Sequence, residues 1–349
     1  MDGRLRHGSS HPSKRQKTFH EDLGNVVHES RNGSPTPQHD RYTIAWICAL
    51  HIEMAVARAM LDETHEALPM HANDSNTYIL GSIKHHNVVI ACLPTAQYGT
   101  NNAANVLTHL MRTFPSIRLG LMVGIGGGVP SKADVRLGDI VVGTRVMQYD
   151  LGKIVGDRQL QRTAISRIPH QSLRTAVSAL RSEHELQPSR VLSILREKLE
   201  GHPEYGRPSS PDRLYQATYD HEDHEGPGCD GCDQSKLVLR SRRISDNPMM
   251  HYGAIASGNQ VMRHGRTRTE VARQLDVICF EMEAAGLMDI LPCLPIRGIC
   301  DYSDSHKSKE WQRYAAATAA AYARELLEVL PVAESQARVA YAPNTCKLA

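Results

Sequence analysis

What is missing from this 349-residue sequence narrows it first. No run of 18 apolar residues occurs, so no membrane-spanning helix is expected. The opening stretch, MDGRLRHGSSHPSKRQK, has no apolar h-region and does not read as a secretory signal. Charge of one sign is missing too: 40 Lys+Arg face 38 Asp+Glu, a formal net charge of +2. That balance argues against a general nucleic-acid binder. Without a secretory signal, the eight cysteines read as reduced thiols of an intracellular protein, cytoplasmic or nuclear. Several of them (Cys48, Cys92, Cys279, Cys300) lie in apolar, strand-like runs. There are no internal repeats. Apolar residues at 41% and charged residues at 22% are ordinary globular usage, which excludes collagen, coiled coil and wholesale disorder. Length alone suggests about two domains, although one α/β domain can reach this size.

Residues 1–40 hold five His, many Ser, Gly and Pro, and little apolar periodicity, as expected of a disordered arm. Its cluster Lys14-Arg15-Gln16-Lys17 reads either as a nuclear-import signal or as a solvated basic stretch. From Tyr42 the texture changes. YTIAWIC (42–48) is an apolar run of strand length, and a helical pattern follows from Ile52 to Leu61. Further strands are expected at 87–93, 117–123, 139–146, 252–257, 276–280 and 294–300. Helices are expected near 101–113, 267–275, 282–290 and 311–329. Runs that are apolar throughout suit strands buried on both faces of a sheet. Strand and helix alternate, so residues 41–331 read as one α/β domain. Residues 157–250, rich in Arg, Ser, Pro, His and Asp, interrupt that rhythm and read as an insertion with short helices near 171–181 and 189–199. Residues 332–349 read as a tail.

Four motifs carry chemistry. Gly124-Ile125-Gly126-Gly127-Gly128 follows a buried strand and reads as a glycine loop. Glycines there let backbone N–H groups approach a ligand's polar oxygens, or simply make a tight turn. The segment has neither the G-x-x-x-x-G-K-[ST] pattern nor a clear dinucleotide fingerprint. FEMEAAG (280–286) places Glu281 and Glu283 at a strand's carboxyl end, where open α/β sheets bind ligands. One such Glu can accept hydrogen bonds from vicinal hydroxyls; the plain alternative is electrostatic support of a helix N-terminus. RGICDYSD (297–304) puts Asp301 at another strand end, as a general acid or as a cap of the following turn. Glu53, just past the first strand, is alone an ordinary first-turn Glu. Together, three acids after three strands of one sheet say more than any one of them.

The order ICALHIEM, VGIGGG with RLGDIVVG, ASGNQVM, FEMEAAG and RGICDYSD resembles the nucleoside phosphorylase/nucleosidase superfamily. It is similar to methylthioadenosine/S-adenosylhomocysteine nucleosidases and to fungal nucleoside phosphorylase-like domains, over about 42–330 apart from the insertion. The resemblance implies a three-layer α/β/α sandwich with a twisted mixed central sheet, and a homo-oligomer. It implies cleavage of an N-glycosidic bond, with no cofactor and no metal in catalysis. Asp301 then assists departure of the base, and Glu53 orients and deprotonates the attacking water. Glu283 binds the ribose hydroxyls, Met282 packs on the sugar, and Arg297 supports the acid. Gly126 and Gly127 line the substrate.

Phosphorylases of this superfamily hold phosphate with an Arg two residues before the first loop glycine and a hydroxyl one residue after it. Here Met122 and Ile125 stand at those positions, so hydrolysis is favoured over phosphorolysis. Ile125 also departs from the hydroxyl common in nucleosidases. In the base-reading stretch 257–262, Val261 stands where nucleosidases carry a stacking Phe, beside Met262. A purine, adenine first, is expected because an Asp acid needs an imidazole-ring nitrogen to protonate. His306, Lys307 and Lys309 form either a 5′-phosphate site or a solvated basic face. Two readings from other classes stay open: a purine nucleoside phosphorylase, and a nucleotide-sensing module without turnover. The partner is a small molecule, with no nucleic acid and no membrane. Within the insertion, His221-x2-His224-x4-Cys229-x2-Cys232 offers two thiols and two imidazoles for a structural Zn²⁺, though the spacing matches no established zinc pattern.

Overall fold

The structure is a computed structural model that describes residues 38–156, 159–222 and 229–332. The arm up to residue 37 with its basic cluster at 14–17, His224, and the tail from 333 lie outside the described residues. In chain order the elements are β1 (Ile44–Cys48), α1 (His51–Ala59), β2 (Glu63–His65), β3 (Tyr78–Ile83), β4 (His86–Cys92), α2 (Thr100–Thr113) and β5 (Leu119–Gly128). Then come β6 (Ile140–Gln148), β7 (Gly152–Val155), β8 (Gln159–Arg162), α3 (Gln171–Leu186), α4 (Val191–Lys198) and β9 (Met250–Ser257). The last are α5 (Gly265–Leu275), β10 (Val277–Glu281), α6 (Ala284–Met288), β11 (Leu294–Asp301) and α7 (Gln312–Val329).

Nine strands form one mixed sheet in the order β10-β9-β6-β11-β5-β1-β4-β3-β2, and β10 pairs with β5 as well. β7 and β8 make a separate hairpin. The run at 44–48 shows why the chain layers. Side chains alternate across a strand, so Ile44, Trp46 and Cys48 enter one buried cluster and Ala45 and Ile47 the other. The first cluster receives α1, α3, α4 and α7; the second receives α2 and α6. A smaller cluster packs Val271 and Ala272 of α5 on β9 and β10. The result is three layers, helices on both faces of a mixed sheet. No helix among the described residues is long and apolar enough to cross a membrane.

Several segments differ from expectation. Residues 124–128 are not a loop: β5 runs on through Gly128, pairing with β11 up to Gly127 and antiparallel with β10 at Gly127 and Gly128. Within 157–250, α3 and α4 bury Leu173, Leu180, Val191 and Ile194 in the same core as α7, so they belong to the main packing. Their apolar spacing fits a helix face, but the polar residues around it hid that role. Among the described residues of the stretch, 199–222 and 229–249 hold no α-helix and no strand of the sheet. β3 was not anticipated, because Gly81 and Ser82 break its apolar pattern.

Candidate active site

The carboxyl ends of β1, β5, β10 and β11 open into one cavity of about 500 Å³. Glu53, Gly126, Gly127, Val261, Met262, Met282, Glu283, Arg297, Asp301, Lys307 and Lys309 all line it. The three acids that the sequence set after separate strands thus meet around one space.

Glu53 enters from the first turn of α1 and is buried. Its Oε2 accepts the N–H groups of Ala49 and Leu50 at 2.7 and 2.9 Å. This is the capping role expected of an N3 glutamate reaching back to its own helix start. Oε1 does something a cap does not require: it accepts the Ile125 N–H of β5 at 2.8 Å. Burial pushes the Glu53 carboxyl above its ordinary range, partly offset by the Arg297 charge and these backbone donors. A partly raised pKa suits a group that must take a proton near neutrality. The approach needs glycine at 124, where a Cβ would stand 2.4 Å from Glu53 Oε1 and 2.8 Å from Arg297 Nη1.

Arg297, fully buried on β11, carries the charge balance. Its Nη2 donates to Glu281 Oε2 and stands 3.6 Å from Glu283 Oε2. Glu281 also accepts the N–H groups of Glu283 and Ala284 at 3.1 and 2.9 Å, fixing the turn from β10 into α6. Glu283 Oε1 faces the Gly99 N–H at 3.4 Å. Burial, with Glu281 beside it, pushes the Glu283 carboxyl up to about 7 despite Arg297.

Asp301 ends β11. Its Oδ1 accepts the Ser303 N–H at 2.8 Å and pairs with Lys307 Nζ at 2.9 Å, while Oδ2 receives the Cys300 thiol at 3.1 Å. Oδ2, holding only this weak donor, is the oxygen better placed to serve a ligand. Gly127 is required beside it, since a Cβ there would meet Ser303 Oγ at 2.0 Å and Asp301 Oδ1 at 2.7 Å. Ser303 holds a left-handed backbone, φ 54°, and its buried hydroxyl has no hydrogen-bond partner among the described residues. Strain and an orphaned polar atom in one residue on a cavity wall make Ser303 a candidate for ligand contact.

The remaining candidates divide. Lys309 lines the cavity beside Lys307, as does Arg263 from the segment after the base-reading stretch. Val261 lines it too but is 50% exposed, a poor stacking surface. Buried Phe280 supplies aromatic wall instead, edge-on to Tyr149 at 5.4 Å. Its place inside FEMEAAG gave no signal of side-chain direction. His306 is not among the cavity-lining residues; it stacks on Tyr215 at 4.2 Å and stands with His221 and Cys232. A 5′-phosphate role for His306 is therefore withdrawn: the backbone between His306 and Lys307 turns the two side chains to different environments. Met122 lies in the α2-side core, away from the cavity.

A nucleotide-binding leucine-rich repeat (NLR)-like protein of Hyaloscypha variabilis is 44% identical over 85% of this chain. The chain spans only 30% of that relative's length. A 5′-methylthioadenosine/S-adenosylhomocysteine nucleosidase of Mycobacterium bovis is 26% identical over 83% of the chain and 97% of its own length. Among solved structures, futalosine hydrolase of Helicobacter pylori superposes with a TM-score of 0.56 at 15% identity, covering 83% of this chain and 99% of that one. Residues 43–330 match the family described as the Phosphorylase superfamily, and the chain belongs to it.

Proposed function

We propose that the chain hydrolyses the N-glycosidic bond of a purine nucleoside or nucleotide, with adenine as the preferred base. The observation that carries this reading is the convergence of Glu53, Glu283 and Asp301 on one cavity, the first two facing the guanidinium of Arg297 and Asp301 paired with Lys307. Departure of the base leaves oxocarbenium character on the ribose, while the base gathers electrons and needs a proton. Asp301 Oδ2 serves the leaving base at its imidazole-ring nitrogen. Glu283 accepts hydrogen bonds from the ribose hydroxyls, and Met282 packs against the sugar. Glu53 takes a proton from the attacking water; its Oε1 spends one lone pair on Ile125 and keeps another. Negative charge on these carboxylates also favours the cationic transition state.

Water is preferred to phosphate as nucleophile because Met122 offers no charge, and Arg297 is already shared by three carboxylates. A phosphate dianion there would forgo charge-assisted bonds of about 1.5–3 kcal/mol each. The Mycobacterium bovis relative, named for cleavage of adenine nucleosides, supports the choice of base. Lys309 and Arg263 on the cavity wall support tolerance of a 5′-phosphate chain.

The test is release of free adenine from adenosine, AMP, ATP and methylthioadenosine, with and without inorganic phosphate. Adenine released without phosphate is expected, and the preferred substrate then identifies the 5′ group. Release only with phosphate would replace hydrolysis by phosphorolysis. No release from these or from inosine and guanosine would overturn the enzymatic reading.

A further inference from the structure

Outside the cavity, one cluster of ligating side chains has no role in the chemistry above. His221 and Cys232 lie on the irregular segment, and His306 lies 74 residues further on, in the loop after β11. One ligating atom from each lies within 4.8 Å of the others. His221 Nδ1 stands 3.2 Å from Cys232 Sγ and 3.7 Å from Cys229 Sγ. With Zn–N about 2.0 Å and Zn–S about 2.3 Å, the edges of a tetrahedral Cys₂His₂ site run from about 3.3 to 3.8 Å. Those separations already have ligand-to-ligand size.

His306 supplies the independent observation. Its side chain is 5% exposed, and neither ring nitrogen has a hydrogen-bond partner among the described residues. The closest carboxylate oxygen, Asp304 Oδ1, is 3.8 Å from Nδ1, too far for a hydrogen bond. Tyr215 stacks on the ring at 4.2 Å and holds its plane. A buried imidazole fixed by aromatic stacking, with both nitrogens unpartnered among the described residues, stands with the Cys232 thiol and the His221 imidazole, and the Cys229 thiol lies 3.9 Å from the His306 carbonyl oxygen. Burying such nitrogens unpaired is costly unless a ligand satisfies them.

We propose that His221, Cys229, Cys232 and His306 bind one Zn²⁺ ion that fastens the irregular segment to the loop after β11. Two thiolates and two imidazoles suit zinc rather than a hard cation such as Mg²⁺ or Ca²⁺. On binding, both thiols give their protons to solvent. The short-spacing set anticipated from sequence is thereby changed, His306 taking the place of His224 as fourth ligand. The backbone already follows this link, since His221 N–H donates to Ser305 Oγ at 2.8 Å. The ion would thus sit one residue from Lys307, the partner of Asp301.

The test is elemental analysis of the full chain after zinc loading and exhaustive dialysis, beside the absorption spectrum of the Co²⁺-loaded protein. About one zinc per chain is expected, and Co²⁺ should give tetrahedral bands with thiolate charge transfer. Cys232→Ser and His306→Ala should each lower retained zinc at least about fivefold, while His224→Ala keeps it. Wild-type chain retaining under about 0.1 zinc would overturn the site without recourse to any variant. So would a Cys229–Cys232 disulfide found by mass in protein isolated without oxidant. Full zinc in folded His306→Ala, or its loss in folded His224→Ala, would overturn this ligand set.

Discussion

The guanidinium of Arg297 and the carboxylate of Glu281 pair in the interior, each side chain 1% exposed. Neither residue is free to change alone. The same guanidinium faces Glu283 Oε2 at 3.6 Å and holds down the carboxyl of Glu53. One cation therefore faces three acids from three parts of the chain.

Arg297→Met should leave buried carboxylates uncompensated and cost about 3–5 kcal/mol of stability. Adding Glu281→Gln to it should recover part of that loss, because the two groups couple. Urea unfolding of the single and double variants measures the coupling. Additive losses would show that the pair is not the linchpin described.

Gly124→Ala tests geometry rather than charge. The added methyl would meet Glu53 Oε1 and the Arg297 guanidinium, so one or both must move. Displacing a catalytic group by about 1 Å can cost about 100-fold in rate. Single-turnover assays should show a loss of that order in a folded protein, and unchanged rates would separate Glu53 from the chemistry.

Ionisation gives a directional prediction. Glu283 is pushed up from 4.5 to about 7 by burial and by Glu281, so the folded state binds its proton more tightly than the unfolded chain. Between about pH 4.5 and 7 the folded state holds more protons, and stability should fall as pH rises through that window. Glu283→Gln should flatten this slope. Unfolding at pH 5 and at pH 8 checks it; an unchanged slope would assign the effect to another group.

On the proposed mechanism, Glu53→Gln and Asp301→Asn should each lower kcat by about 10²–10⁴ while the fold persists. Because burial raises the Glu53 carboxyl, the acid limb of kcat/KM should lie above the ordinary carboxylate range. It should vanish from the residual activity of Glu53→Gln. Measuring kcat/KM from pH 4 to 9 for both variants checks the assignment.

Much of this was legible in the sequence because the relevant residues stand at strand ends. Glu53, Glu283 and Asp301 each follow an apolar run; β1 and β11 run parallel beside β5, which brings the first and last of these ends together, whereas Glu283 follows β10, which meets the end of β5 antiparallel. What stayed hidden depends on contacts that no local pattern encodes. Ser303 shows its strain only once the chain has turned back over Gly127. The glycines at 124 and 126–128 looked like a loop because their strand pairing serves close approach by neighbours such as Glu53, Arg297 and Ser303 rather than side chains of their own. His306 looked like part of a basic run with Lys307 and Lys309. Its separation from them is a matter of backbone direction alone. The apolar stripe of α3 was diluted by His, Glu and Arg, and its place beneath α7 depends on tertiary packing.

The second pairing of β10 has a topological consequence. Because β10 meets β9 on one side and β5 on the other, the strands β5, β11, β6, β9 and β10 close into a ring. A ring has no terminal member to fray, and its circumference is fixed by the number of strands. Glu281, Asp301 and the glycines of β5 are thus held on a rim whose span cannot widen without parting a seam. The spacing of the proposed site is inherited from closure itself, and its loss should be all-or-none rather than gradual.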